Sequence, residues 1–271
     1  MPNSDIMKKT IANLPADGVA PDVPCNFFSG EEWLDKPTAL PYEMSLTLYI
    51  NGQELVTILC TPTRLNCLVI GFLYSEGIIH GMADIASMRI CEDEPIADVR
   101  LSNTDYTPPT RRVLTSGCGS GTGFNNAEPI VNSDLVTTPQ EILELMKQLH
   151  QQQDLFQQCG GTHGSALCDH QQILVSAEDI GRHNTLDKIL GECLLRKKPT
   201  RDCILLTTGR ITSEMLIKAA RMQTPIVVSR GSPTERAVSL GDALGITVIG
   251  YARGNRLSVF SKKERLPVAG S

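Results

Sequence analysis

The chain has no excess of positive charge, no long apolar run and no closely paired cysteines. Its 25 Lys and Arg stand against 30 Asp and Glu, a formal net charge of -5. That balance argues against general nucleic-acid binding, because a polyanion is held by a basic surface. No stretch approaches the ~20 consecutive apolar residues that cross a bilayer. Lys8 and Lys9 are followed by Ile11-Ala12-Asn13-Leu14-Pro15 rather than by the apolar core of a signal peptide, so a cytoplasmic protein is expected.

Nine cysteines occur without a single Cys-x-x-Cys, which indicates neither a disulfide framework nor a tetrahedral zinc site. Cys60, Cys67, Cys193 and Cys203 lie in apolar runs and read as small buried hydrophobes. Familiar phosphate loops are missing too. The run Gly117-x-Gly119-x-Gly121-x-Gly123 puts Thr122 or Phe124 where a Gly-x-Gly-x-x-Gly needs its third glycine, and no Gly-Lys-Ser/Thr occurs. A zinc deaminase requires a His-x-Glu and a later Pro-Cys-x-x-Cys at two helix starts. The corresponding segments read Gly181-Arg182-His183-Asn184 and Thr208-Gly209-Arg210, and His163 is followed two residues on by Ser165. Lone His80, His150 and His170 read as surface or core residues rather than ligands.

Of what is present, Cys118 is the most informative. It sits in Thr115-Ser116-Gly117-Cys118-Gly119-Ser120-Gly121-Thr122-Gly123, where little side-chain bulk shields its thiol. That suits a cysteine reached by another protein and then moved, although a turn with an idle cysteine has the same composition. Cys159, in Cys159-Gly160-Gly161-Thr162-His163, is the second glycine-flanked thiol. His163 can orient or deprotonate it only if the loop folds back.

Periodicity divides the chain into a flexible arm (1–30), a strand-rich α+β lobe (31–137) with the Cys118 loop, and an α/β lobe (138–271). In the first lobe, alternation over 44–50 and 56–60 around Asn51-Gly52 predicts a hairpin. Leu65, Leu68, Val69, Phe72 and Leu73 predict a helix with Thr63 as a candidate N-cap and Gly77 as its stop. Short strands are expected near 88–91, 97–101 and 111–114. In the second lobe, Thr138-Pro139 opens a helix with Ile142, Leu145, Met146 and Leu149 on one face. Strands over 165–168 and 172–176 precede an alternation of helices (184–195, 213–222, 234–244) with strands (203–207, 226–229, 246–250) and a last strand (257–261). The rhythm predicts a largely parallel sheet with helices on both faces, its site at the carboxyl ends of the strands.

Those strand ends are cationic in an acidic chain. Arg182, Arg210, Arg230, Arg253 and Arg256 each follow a strand, and eight of the fifteen arginines fall at or after Arg201. Arginines converging beside helix starts make an anion site, most naturally for phosphates.

Several of these segments together resemble the FdhD/NarQ family of formate dehydrogenase accessory proteins. They are Glu178-Asp179-Ile180-Gly181-Arg182-His183-Asn184-Thr185-Leu186-Asp187-Lys188, Gly71-Phe72-Leu73-Tyr74-Ser75-Glu76-Gly77, Gly160-Gly161-Thr162-His163, and Gly245 through Arg256. They run in family order from about Tyr42 to Ser261. The resemblance implies a homodimeric cytoplasmic sulfur carrier, sulfurtransferase-like rather than a multiple-turnover enzyme. Such a carrier takes persulfide sulfur from a cysteine desulfurase. It passes the sulfur to Mo-bis(molybdopterin guanine dinucleotide), its bound substrate, before that cofactor enters formate dehydrogenase. It further implies a cytidine-deaminase-like three-layer α/β second lobe without zinc, and no nucleic-acid or membrane partner.

Carried over by position, Cys118 takes the persulfide role. Tyr251, Ala252, Arg253, Gly254, Asn255 and Arg256 take the cofactor-binding role, and Arg230, Arg253 and Arg256 are expected to hold phosphates. The family loop commonly reads Cys-x-x-Cys, whereas Gly121 stands at the second position here. Relay between two loop thiols is thereby excluded, and Cys159 becomes a candidate second thiol. Asp179 and His183 are read either as fixing the loop and capping the next helix or as passing protons. Two other functions compete: a chaperone that binds the cofactor without sulfur transfer, and a hydrolase or deaminase of the same fold.

Overall fold

A computed structural model of the 271-residue chain describes residues 17–91, 94–106 and 129–267. The segment 1–30, where no period is readable, contains Val19–Val23 (β1) and Asn26–Phe28 (β2), followed by Trp33–Asp35 (β3) and Thr38–Pro41 (β4). Strands this short are below the length at which alternation is legible. They form two antiparallel ribbons, β1 with β4 and β2 with β3. The second ribbon exposes Phe27, Phe28, Trp33 and Leu34.

The first lobe is built on Met44–Ile50 (β5) and Gln53–Cys60 (β6). Asn51 and Gly52 join them at φ 49° and 84°, the two left-handed residues of a primed hairpin turn. Asn51 also accepts a hydrogen bond at Oδ1 from the Leu101 N–H. Leu65–Ser75 (α1) follows, then Ile85–Ile90 (β7) and Ile96–Leu101 (β8), giving a sheet of order β6-β5-β8-β7. The inward alternation of β5 buries Met44, Leu46, Leu48 and Ile50 against α1. Helix α1 has no polar stripe: nine of its residues are buried, so it must be covered on two sides. Its N-cap is Arg64 at φ 50°, without a side-chain cap. The expected cap, Thr63, instead accepts a hydrogen bond from Lys188. Gly77 ends the helix at φ 71° as predicted.

The second lobe begins with Pro139–Gln151 (α2), where Thr138 and Glu141 form a complete capping box. Asp154–Cys159 (α3) was not legible, since six residues carry too little pattern. His163–Cys168 (β9), Ile173–Asp179 (β10), Arg182–Leu195 (α4), Ile204–Thr207 (β11), Ser213–Arg221 (α5), Ile226–Ser229 (β12), Glu235–Leu244 (α6), Thr247–Arg253 (β13) and Arg256–Val259 (β14) complete it.

The six-stranded sheet has the order β10-β9-β11-β12-β13-β14. It is less parallel than the rhythm predicts. Strand β9 runs against both of its neighbours and β14 against β13, which leaves β11-β12 and β12-β13 as the two parallel pairs. The reason is the short β9–β10 hairpin: two strands joined by a tight connection lie antiparallel, and only a helical crossover permits a parallel pair. Leu205, Val227 and Val248 face α4, α5 and α6, while Ile204, Leu206, Val228 and Ile249 face α2. Three layers result. Each large aliphatic side chain buried there contributes about 1.5–3 kcal/mol.

The lobes meet where α1 crosses α4. A Cβ on Gly71 would overlap the Asp187 carbonyl, and one on Gly191 would overlap the Cys67 carbonyl. Two glycines thus let the helices approach backbone to backbone. Helix α1 is sandwiched between its own sheet and α4. The strand expected near 111–114 lies outside the described residues.

Candidate functional site

The segment Glu178-Asp179-Ile180-Gly181-Arg182-His183-Asn184 runs from the end of β10 into α4. Asp179 is fully buried, and both its oxygens are engaged. Oδ2 takes the Lys188 ammonium at 2.6 Å, the Thr61 N–H at 3.1 Å and the Thr61 hydroxyl at 2.9 Å. Oδ1 accepts from the Gly181 N–H and the Asn184 amide, each at 2.8 Å. A carboxylate so saturated is a joint between lobes and has no lone pair left for proton transfer.

A second buried pair is made by Asp187, the residue before Lys188 in α4. Lys218 reaches the Asp187 oxygens at 2.6 and 2.7 Å, and the Ser75 hydroxyl donates to Asp187 at 2.7 Å. Burial pulls the Lys218 pKa down, but the carboxylates of Asp187 and Glu76 outweigh it and hold the ammonium protonated.

His183 is pushed down to about 3 by burial and by the charges of Lys218 and Arg182. Its ring is therefore neutral at physiological pH. Nε2 lies 3.3 Å from the Thr212 hydroxyl and 3.4 Å from Glu214.

The carboxyl edge of the large sheet has a hydroxyl floor. Ser165 bonds Thr185 at 2.7 Å and Thr207 at 3.1 Å, while the Ser229 hydroxyl donates to the Gly209 carbonyl at 2.6 Å and accepts from the Gly231 N–H at 2.8 Å. This ladder holds the loops after β11 and β12 together.

Beside them, on the α2 side, opens a cleft of about 520 Å³, within the usual range for small-molecule sites. One wall is Arg230 with Ala252, Arg253, Gly254 and Asn255. The other is the polar face of α2, including Glu144, Lys147 and His150. Arg230 donates to His150 Nδ1 at 3.3 Å.

The expected cofactor segment is thus the β13–β14 turn. Gly254 takes φ 58° there, and Arg253 and Arg256 are register partners across it. Like charges directly opposite are unfavourable unless an anion lies between them or nearby. Of the six residues, Ala252 through Asn255 line the cleft, whereas Tyr251 and Arg256 do not. Tyr251 packs its ring toward Phe260, with centroids 6.2 Å apart, and is held at φ 55° by an N–H bond to the Gly231 carbonyl.

Cys118 lies outside the described residues. Cys159 sits at the end of α3, where its thiol donates to the Leu155 carbonyl at 3.1 Å. Burial, Glu178 and Asp17 all raise its pKa, so thiolate is disfavoured there. Among the described residues, no group of three or more His, Cys, Asp or Glu is placed to hold a metal, and no helix is long and apolar enough to cross a membrane.

Sequence reasoning missed the α2 wall. His150 reads from the sequence only as a surface or core residue, and Lys147 carries no signal of its own. Nothing in the pattern of α2 says that this face looks across at Arg230, which is eighty residues away from His150.

A family model described as FdhD/NarQ matches residues 41–267. The sulfur carrier protein FdhD of Listeria innocua is 42% identical over 236 residues, covering 83% of this chain and 90% of the relative. That of Bacillus subtilis is 40% identical over 232 residues, covering 83% and 88%. Among solved structures, a formate dehydrogenase accessory protein from Desulfotalea psychrophila superposes with a TM-score of 0.75. It is 24% identical and covers 92% of this chain and 99% of its own. At that identity the likeness is one of fold.

Proposed function

The chain belongs to the FdhD/NarQ family, and from that premise we propose that it is a sulfur carrier required for formate dehydrogenase activity. The observation that carries the reading is the cationic cleft between α2 and the β13–β14 turn, where Arg230 and Arg253 face a space of nucleotide size. The substrate held there is Mo-bis(molybdopterin guanine dinucleotide), bound through its guanosine diphosphate end. Two guanidiniums supply planar forks that match phosphate oxygens, and Arg256 adds charge at the same turn.

Cys118 accepts the sulfur. Its thiolate attacks the sulfane sulfur of a cysteine desulfurase persulfide: the new S–S bond forms on Cys118, and the desulfurase cysteine leaves as thiolate. That sulfur then passes to the molybdenum of the bound substrate: its bond to Cys118 breaks, Cys118 leaves as thiolate, and a reduced molybdenum would supply the two electrons that take sulfane sulfur to the sulfide level. With Gly121 in place of a second loop cysteine, the persulfide resides on one thiol throughout. The protein works in the cytoplasm as a homodimer, with a desulfurase and formate dehydrogenase as its partners.

Intact-protein mass spectrometry after incubation with a cysteine desulfurase and cysteine tests this reading. Wild type is expected to gain one sulfur atom that Cys118→Ala does not. Equal gain in both would move the carrier role to another thiol. Gain in neither, with guanosine diphosphate still bound, would leave a cofactor-binding chaperone without sulfur transfer.

A further inference from the structure

Beyond the ribbon of β1 and β4 the chain projects a second one. Pro24 and Pro37, which donate no ladder hydrogen bond, stand at its base. Between them β2 and β3 pair Phe27 with Leu34 and Phe28 with Trp33, so one apolar pair lies on each face. The element is well formed. Ser29 closes its turn with an N–H bond to the Glu32 carbonyl at 3.0 Å, Gly30 takes φ 99°, and the Lys36 N–H reaches the Cys25 carbonyl at 2.8 Å. The Phe28 and Trp33 rings lie 5.2 Å apart, and the Lys36 ammonium is 5.1 Å from the Phe27 ring centre.

Every residue from Pro24 to Pro37 is nevertheless exposed. Trp33 is 69% open to solvent, Phe28 50%, Phe27 46% and Leu34 43%. A lone two-stranded ribbon is marginal in water, and aromatic side chains are enriched where interfaces form. Taking ~200 Å² for a whole aromatic side chain, the four leave about 400 Å² of apolar surface open, a patch of the size that marks an interaction site. Laid on an unlike protein, one ribbon covers a like area there, about 800 Å² in total, no more than a crystal contact buries. Two ribbons exchanged about a two-fold axis double this to about 1,600 Å², the size of a stable interface. Glu31 and Glu32 at the tip oppose another occupant, an anionic bilayer surface.

We propose that the β2–β3 ribbon is the contact arm of a two-fold dimer of this chain, each protomer laying its arm on the other. The inference rests on the homodimer of the proposed function and names the surface that forms it.

Trp33 is the one tryptophan of the chain, so its emission reports on the arm alone. Sedimentation velocity and tryptophan fluorescence of the full chain are followed together over a dilution series. Wild type should sediment as a dimer with blue-shifted emission that moves to the red as the dimer dissociates. Phe28→Glu and Leu34→Glu, one on each face, should weaken dimerisation by about thirtyfold or more. Both positions are exposed in the protomer, so the circular dichroism of the variants should match wild type. Phe28→Ser, which removes the ring without adding a charge, should weaken the dimer in the same direction. A dimer that all three variants leave intact, or in which Trp33 keeps the emission of a solvent-exposed indole, overturns the arm and leaves the homodimer standing on another surface. A monomeric wild-type chain overturns both the homodimer and the arm.

Discussion

Lys188 and Asp179 meet at 2.6 Å with neither side chain exposed, and both also hold Thr61 of the first lobe. The most conspicuous polar segment of the chain is thus spent largely on joining two lobes. The charged groups that line the cleft come from elsewhere, from α2 and from the strand ends.

Lys188→Met strands the Asp179 carboxylate without its counter-ion. The expected loss of stability is about 3–5 kcal/mol, the usual cost of breaking a buried pair from one side. Adding Asp179→Asn to the same chain should recover part of it, because the remaining buried group is then neutral. Urea denaturation of the two variants beside wild type measures both effects.

The crossing of α1 and α4 allows no side chain at its centre. Gly71→Ala forces a methyl into the Asp187 carbonyl and should cost more than about 2 kcal/mol by overpacking between two backbones. Gly81, around which an added Cβ meets nothing within 4 Å, is the control: its alanine variant should stay within about 0.5 kcal/mol of wild type. Thermal unfolding of both variants compares them directly.

Stability should fall in mild acid through His183. Its folded pKa of about 3 lies below the ordinary 6.5, so the unfolded chain binds the proton first. The stability present above pH 6.5 is lost progressively as pH falls toward 3, at a slope of up to about 1.4 kcal/mol per pH unit. His183→Asn removes this titration. Its stability between pH 7 and 5 should decline less steeply than that of wild type in denaturant titrations.

Cys159 should not carry sulfur. Its thiol donates to a carbonyl of its own helix and has a raised pKa, whereas attack on a persulfide requires thiolate. Cys159→Ala is expected to load sulfur at the wild-type rate in the desulfurase assay. Slower loading in that variant would restore Cys159 as a participant.

Much of the architecture was legible because periodicity reports which face of an element is apolar. The helix start at Thr138-Pro139, the primed turn at Asn51-Gly52, and strand β12 all follow from patterns within ten residues. The arginines at the strand ends were legible for the same reason: each follows its strand directly in sequence.

Partners are another matter. Periodicity shows strands near 165–168 and 172–176, but not that β9 inserts antiparallel between β10 and β11. Thr63 reads as a cap because local spacing permits it, yet Lys188, 125 positions on, claims its hydroxyl. The sequence by itself determined the longer elements, their buried faces and the cationic ends of the strands. Only the tertiary structure decided that Asp179 and Lys188 bind the lobes together and that His150 faces Arg230. Ion pairs and cleft walls join residues far apart in the chain, and no local pattern records which distant group will arrive.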